Sequence, residues 1–374
     1  MWAPLAGVRV LELASFLPGP FAGAQLLALG ATVVKLEPPG GDPGRHLPDG
    51  LFAMNNRGKQ SVCVNLKAPG APELVQRLVA GFDVVLEGFR PGVAARLGVD
   101  YDTLRQARPD LIYCALSGFG QTGPRAAWPG HDLTYLAAAG ALSRPGHWAG
   151  PARRPGVPVA DTASGLFAAL AVVCALLRRA STGEGAYLDA SITDAALSLA
   201  ACRGLAPPTS RTHLHPANDV FTCADGAELA AGLLEDHFFA GFVRALGEAG
   251  TPLTEPRFAT VAARQTHGDI LQQRLAAIFV TRTAADWETL GAARGLPLVR
   301  VRCVAEALSD QQPGTPAPDF AVHVNGARLP AAAADAPALG ADTTAVLGAI
   351  GYDAAARASL REAGVLPPSP TEPA

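Results

Sequence analysis

Gly7-Val-Arg-Val-Leu-Glu-Leu13 alternates as a β-strand, Pro18-Gly-Pro20 reads as a break, residues 21–29 as a helix, and Thr32-Val-Val-Lys-Leu36 as a second strand running into a Pro/Gly-rich loop at 38–44. This is a β-loop-α-β unit, and the pattern repeats outward from it. Residues 61–66 and 84–86 read as strands around a helix near 71–80, and residues 111–116 as another strand. Strands alternating with helices predict an α/β chain with a mostly parallel, doubly wound sheet.

Further along, an unbroken apolar run of 13 residues, 165–177, is shorter than the ~18–20 a bilayer span needs and predicts a buried helix over 162–179. A Gly183-Glu-Gly185 turn, a strand at 186–189 and a helix at 191–202 follow. Residues 204–219, with three prolines, read as a linker. Beyond it, Ala224-Asp-Gly226 between two strand-like runs predicts a hairpin, then a helix over 237–246 and helical spacing over 270–295. Residues 309–340 are rich in Pro and Ala, and 341–366 return as two short helices. The expected division is a large α/β domain at 1–204, a smaller α+β domain at 205–330, and a C-terminal segment at 331–374 that rejoins the first.

Composition narrows the function. At ~150 residues per domain, 374 residues suit two domains or one large one. With 49% hydrophobic and 17% charged residues the chain can bury a core. Gly (40) and Pro (32) make up about a fifth of it, below the ~25–30% of low-complexity chains. Disorder, collagen and coiled coil are excluded. A net charge of −3 offers no basic field for nucleic acid or anionic membrane. The six cysteines (63, 114, 174, 202, 223, 303) contain no pair with zinc-ligand spacing. The opening Met-Trp-Ala-Pro-Leu has neither a basic region nor an apolar core, so a cytoplasmic protein with reduced thiols is expected.

The chemistry concentrates at 117–135. Gly130 follows Pro129 in a turn, and His131 stands where an apolar helix begins. There the positive end of the helix dipole favours the neutral imidazole, which is a base, although Asp132 or His131 capping the helix explains the same pattern. Asp161 precedes a second apolar helix at an N-cap position; helix-start N–H groups beside it can also stabilise an oxyanion. His213 and His215 lack a third ligand beyond Asp219, so a metal is not expected there. His46, His147, His237, His267 and His323 have no partner pattern, and Arg153, Arg154, Arg178 and Arg179 read as solvated faces or helix ends. Pro18-Gly-Pro-Phe-Ala-Gly23 lacks dinucleotide-binding glycine spacing, and no Gly-x-Ser-x-Gly elbow exists.

Several segments together resemble the family III CoA-transferase superfamily, which includes the 2-methylacyl-CoA racemases. They are Leu5-Ala-Gly-Val-Arg-Val-Leu-Glu-Leu13, Leu29-Gly-Ala-Thr-Val-Val-Lys-Leu-Glu-Pro38, Asn56-Arg-Gly-Lys-Gln-Ser-Val-Cys-Val-Asn-Leu-Lys67, Asp83-Val-Val-Leu-Glu-Gly-Phe-Arg-Pro-Gly92, Gly118-Phe-Gly-Gln-Thr-Gly-Pro124 and Ala160-Asp-Thr-Ala-Ser-Gly165. The resemblance implies a Rossmann-like large domain, an interlocked homodimer with an acyl-CoA substrate at its interface, and catalysis without metal or organic cofactor. In the racemase branch two acid/bases match His131 and Asp161, and a glutamate supporting the histidine matches Glu235. CoA contacts carry over to Val64, Asn65, Leu66, Lys67, Gly88, Phe89, Arg90, Arg96, Gly130, Asp132, Leu133, Thr134 and Tyr135. The chain departs from the family pattern at Pro38, at His213-Leu-His-Pro-Ala-Asn-Asp219 and after Ser309. The expected activity is racemisation of a 2-methylacyl-CoA by proton transfer through an enolate. A CoA-transferase using Asp161 as nucleophile is the alternative, and a non-catalytic CoA-ester binder the third reading.

Overall fold

The computed structural model describes residues 2–48, 50–143, 145–148, 150, 154–202, 204, 211–311, 320–329 and 334–368. Arg153 and most of the 204–210 and 309–319 stretches lie outside the described residues. Among the described residues the chain forms two compact units: Met1–Ala139 with Gly156–Leu199 and Ala317–Ala374, and Gly140–Pro155 with Ala200–Pro316.

The first unit is built on six strands: β1 (Arg9–Leu13), β2 (Thr32–Glu37), β3 (Gln60–Cys63), β4 (Val84–Glu87), β5 (Ile112–Ser117) and β6 (Ala186–Ser191). They lie in the order β3-β2-β1-β4-β5-β6, every pair parallel, as the alternation of strands and helices predicts. Leu11 on β1 pairs with Val34 on β2 and Val85 on β4, and all three are buried. This is the doubly wound arrangement, whose strand order reverses between β1 and β4. Ligands enter such sheets at the carboxyl ends of the strands on either side of that reversal.

Pro18-Gly-Pro20 is the first turn of a helix, Pro18–Ala28, and not the break that its composition suggests. Proline suits helix position N1 because its missing N–H has no intrahelical partner to lose. Gly19 is required: a Cβ there would fall 2.2 Å from the Ala14 Cβ. The helix crosses Val159–Thr182 at Gly165, where a Cβ would fall 2.7 Å from the Pro18 carbonyl oxygen.

Val159–Thr182 is not the fully buried helix expected from its apolar run. Its buried side is mostly small residues, Ala160, Ala163, Ser164, Gly165, Ala168 and Ala169 among them, which let the neighbouring helix approach. Its large apolar residues point away, leaving Leu166 51%, Leu170 59% and Leu177 74% exposed. By length and composition this 24-residue helix could also cross a membrane, with 44% of its most apolar window buried in the fold.

Residues 340–366 pack on the outer edge of β3. The Ser61 N–H donates to the Asp342 carboxylate (2.8 Å), the Asp342 N–H to the Ser61 carbonyl (2.9 Å), and the Asn65 N–H to the Val365 carbonyl (2.8 Å). Val346, Leu347, Val365 and Leu366 join the core behind the sheet. An otherwise open strand edge is thereby paired.

The second unit carries the expected hairpin, β7 (Asn218–Thr222) and β8 (Glu228–Gly232), to which β9 (Leu298–Arg300) adds a third antiparallel strand. The 270–295 stretch resolves into two helices, Gly268–Phe279 and Ala284–Arg294, the second capped by the Thr283 hydroxyl accepting the Asp286 N–H. Phe242, Phe279 and Trp287 fill its core. Gly140–Pro155, expected in the large domain, belongs to this unit. The Trp148 indole lies against Gly268 and donates to Asp269 (2.8 Å), a contact spanning 121 residues.

Candidate active site

The carboxyl ends of β1 and β4 place Ala14 and Ser15 beside Gly88, which opens the Gly88-Phe89-Arg90 segment. They meet so closely that a Cβ on Gly88 would lie 3.2 Å from the Ala14 Cβ. Gly88 and Arg90 are exposed at this crevice, whereas Phe89 is half-buried and donates its N–H to Glu87 (2.6 Å). Burial, with a contribution from Asp189, pushes the Glu87 carboxyl up to about 7 against the effect of that N–H.

Beyond β5 the chain wraps around Tyr135. A Cβ on Gly118 would fall 2.6 Å from the Tyr135 ring, and one on Gly130 would fall 2.4 Å from it, so both positions exclude any side chain. Phe119 closes on Tyr135 edge-to-face, centroids 5.4 Å apart. Burial raises the pKa of the Tyr135 hydroxyl, the negative charge of Asp161 adds to this, and Arg90 opposes it, so both groups lie within electrostatic reach of the phenol.

His131 is the N-cap of the helix Asp132–Ala138. The Thr134 hydroxyl accepts the His131 N–H (2.9 Å) and donates to the His131 carbonyl (2.8 Å), locking the turn. The His131 side chain is exposed, and its ring meets the Phe16 ring edge-on, centroids 6.3 Å apart and planes at 89°. Leu133 and Thr134 are exposed on the same turn.

Asp161 does not cap its helix; it stands three residues into it, and Pro158 occupies the cap position. The capping group comes from elsewhere. Buried Asp132 accepts the N–H groups of Ala160 (2.8 Å) and Asp161 (3.3 Å) through Oδ1. Sequence inspection could not have found this, because 29 residues separate Asp132 from Asp161. The residue after His131 thus ties the two candidate acid/bases into one structural unit. Burial first, and then the Asp132 charge, push the Asp161 carboxyl up to about 7.

Beneath residues 14–20, the turn after β1 and the start of the Pro18–Ala28 helix, lies a cluster of charges that the sequence reading did not single out. The Lys35 ammonium reaches Glu12 Oε1 (2.9 Å), Asp42 Oδ2 (2.9 Å) and the Ala14 carbonyl (2.6 Å). Lys59 Nζ donates to Glu12 Oε2 (2.7 Å), the Pro20 carbonyl (2.9 Å) and Asn56 Oδ1 (3.0 Å). All four charged side chains are buried. Burial opposes the charge on Glu12, but Lys35 and Lys59 hold its carboxyl below the usual range; burial pushes Lys59 down to about 8. The available signal was a charged residue in mid-strand, Glu12 in β1 and Lys35 in β2.

The remaining residues implied by the resemblance fall in two places. Leu66, Lys67 and Arg96 line a cleft of about 500 Å³ with Glu73, Val93 and Leu97. Lys67 and Arg96 are exposed there, and guanidinium and ammonium groups suit phosphate. Val64 is buried in the core with its N–H on the Glu37 carbonyl. The Asn65 side chain bonds the Gly364 carbonyl and the Lys67 N–H. Neither side chain of that pair opens into the cleft.

Glu235, in the second unit, is exposed at the N-cap of Asp236–Leu246. Buried Arg264 fixes this turn by donating to the Leu234 carbonyl (2.8 Å) and Asp236 (2.8 Å). His147, expected to lack a partner, pairs through Nδ1 with Asp219 (2.8 Å), 72 residues away. Among the described residues no three His, Cys, Asp or Glu side chains come together as a metal site.

The fold and these motifs define an acyl-CoA enzyme, and the comparisons give the class: the chain belongs to CoA-transferase family III, whose profile matches residues 5–343. Within that family it is similar to enzymes of two reaction types. The succinate–glutarate CoA-transferase of Agrobacterium fabrum is 34% identical, covering 83% of this chain and 82% of that protein. The alpha-methylacyl-CoA racemase of Mus musculus is 34% identical, covering 72% of this chain and 74% of that protein. The crystal structure of a CAIB/BAIF family protein from Brucella suis superposes with a TM-score of 0.79 at 28% identity, covering 94% of this chain and all of that one.

Proposed function

We propose that the protein racemises a 2-methylacyl-CoA by 1,1-proton transfer, with His131 and Asp161 as the two acid/bases. The observation that carries this reading is the Asp132 bridge between them: one carboxylate follows His131 in sequence and accepts the Asp161 N–H. A carboxyl pushed up to about 7 retains its proton often enough to deliver it.

The step balances with neutral His131 and protonated Asp161. The imidazole takes the α-proton, the C–H electron pair passes into the thioester enolate, and Asp161 delivers a proton to the opposite face. This leaves an imidazolium and a carboxylate; substrate of the other hand runs the sequence in reverse. Glu235 as the support for the His131 ring, a reaction without metal or organic cofactor, and the phosphate contacts of Arg90, Arg96 and Lys67 belong to the same proposal. So does pairing with a second copy, supported by the exposed Leu166, Phe167, Leu170 and Leu177 side chains on Val159–Thr182.

A second reading rests on the transferase relatives: Asp161 as carboxylate attacks the thioester, expels CoA thiolate and forms a mixed anhydride. One experiment separates the two. The enzyme is incubated with a 2-methylacyl-CoA in deuterated water without an acceptor acid. Deuterium entering the α-position, and lost in both His131→Ala and Asp161→Asn, is the racemase result. No deuterium, with hydroxylamine capturing an acyl group from Asp161, establishes the transferase.

A further inference from the structure

Two non-glycine residues among those described have φ in the left-handed region, Phe16 (64°) and Asn325 (52°). Asn325 precedes Gly326 in a short hairpin, where an Asn-Gly pair is expected. Phe16 has no such reason. A bulky side chain strains this conformation, and such strain persists only where the surroundings impose it. The ring it presents is 41% exposed, so packing does not explain it either.

The surroundings that impose it are the buried charges. Asp42 Oδ1 accepts the Phe16 N–H (3.0 Å) and the Gly44 N–H (2.8 Å), while its Oδ2 is held by Lys35 (2.9 Å). The same ammonium takes the Ala14 carbonyl (2.6 Å), so the chain is pinned on both sides of Ser15. The Asp42 N–H is held in turn by Glu37 (3.0 Å). The outcome is one phenyl ring standing edge-on to the His131 imidazole.

We propose that Phe16 is a positioning residue for His131: its ring limits the rotation of the imidazole, and the Asp42–Lys35–Glu12 cluster keeps the ring in place against its own backbone preference. This role rests on the proton-transfer reading. An exposed imidazole otherwise rotates freely about its side-chain bonds, whereas proton abstraction needs it aligned with one C–H bond.

The test compares Phe16→Gly, Phe16→Leu and Phe16→Tyr with the unaltered full chain. It measures α-deuterium incorporation into a 2-methylacyl-CoA in deuterated water, together with the thermal midpoint. Phe16→Gly relieves the backbone while deleting the ring, so its midpoint is expected to hold or rise while kcat falls roughly three- to tenfold, the worth of one edge-on aromatic contact. KM is expected to stay within about twofold, because the ring aids the chemical step more than binding. Phe16→Tyr restores kcat, and Phe16→Leu, with the strain but no ring, does not. The role is overturned if Phe16→Gly retains full kcat, if kcat follows the thermal midpoint across the three variants, or if Phe16→Tyr falls with Phe16→Leu. Incorporation by the unaltered enzyme that is unaffected in the variants removes only the role of Phe16. No incorporation by the unaltered enzyme removes the reaction and this role together.

Discussion

The carboxylate of Asp132 accepts the backbone N–H of Asp161 at 3.3 Å, and the neighbouring N–H of Ala160 at 2.8 Å. Helix capping and the tuning of the Asp161 carboxyl therefore fall on a single side chain. The two roles separate by substitution. Asp132→Asn keeps an oxygen acceptor and removes the charge, while Asp132→Ala removes both. Asp132→Asn is expected to move the Asp161 limb of the pH–rate profile to lower pH, since the Asp132 charge is one of the two causes that raise it. Asp132→Ala adds a loss of about 1 kcal/mol in urea unfolding from the missing cap. An unmoved pH–rate limb in Asp132→Asn contradicts this assignment.

Stability should also report the raised carboxyls. Asp161 and Glu87 each bind a proton more tightly folded than unfolded, both being pushed up to about 7. Between the ordinary carboxylate range and pH 7 the folded chain therefore holds more protons, and stability falls as pH rises through that window and levels off above it. Glu87→Gln, neutral at every pH, is expected to lose on the order of 1–3 kcal/mol of that fall between pH 5 and pH 8. Thermal melts at the two pH values measure it; an equal fall in mutant and parent would show that Glu87 ionises normally.

The buried cluster under residues 14–20 makes a different demand. Lys35→Met leaves Glu12 and Asp42 buried with only Lys59 nearby, at an expected cost of about 3–5 kcal/mol in denaturant unfolding. A loss under about 1 kcal/mol would mean that water reaches the cluster.

Lys67 and Arg96 line the cleft of about 500 Å³ beside Leu66. If this cleft takes the phosphates of CoA, as proposed, the double variant Lys67→Met, Arg96→Met raises KM for the CoA ester roughly tenfold or more with little change in kcat. It also weakens the salt dependence of KM. Retention of the parent salt dependence would place the phosphates elsewhere.

Gly130 offers the sharpest steric prediction. A methyl group there would meet the Tyr135 ring at 2.4 Å, so Gly130→Ala must displace the ring or the turn that carries His131. A stability loss of about 1–3 kcal/mol is expected, together with a larger proportional loss of α-proton exchange. Unfolding curves and exchange rates on the same preparation decide it.

The sheet was legible because its strands are short apolar runs separated by turn residues, and the position of His131 because a Pro-Gly turn opens an apolar helix. The true start of the Pro18–Ala28 helix was hidden by prolines that resemble a break but suit a first turn. The cap of the Asp161 helix was hidden because its acceptor, the Asp132 carboxylate, lies 28 residues away in sequence from Ala160. The charges around Lys35 were visible as anomalies in apolar strands, yet their arrangement depends on β1, β2 and the loop at Asp42 meeting in three dimensions. The unbroken run at 165–177 identified the apolar character of Val159–Thr182 but not which side would be covered, since small residues mark close contact and large ones do not by themselves mark burial.

The bond from Ser61 to Asp342 joins residues 281 positions apart. During synthesis the outer rim of the sheet at β3 has no partner until Asp342 has left the ribosome, although β2, the strand paired with its inner side, emerges first. Nascent chains therefore carry an unguarded strand until then, and slow elongation should raise their dependence on holdase chaperones beyond what the finished protein's stability would suggest.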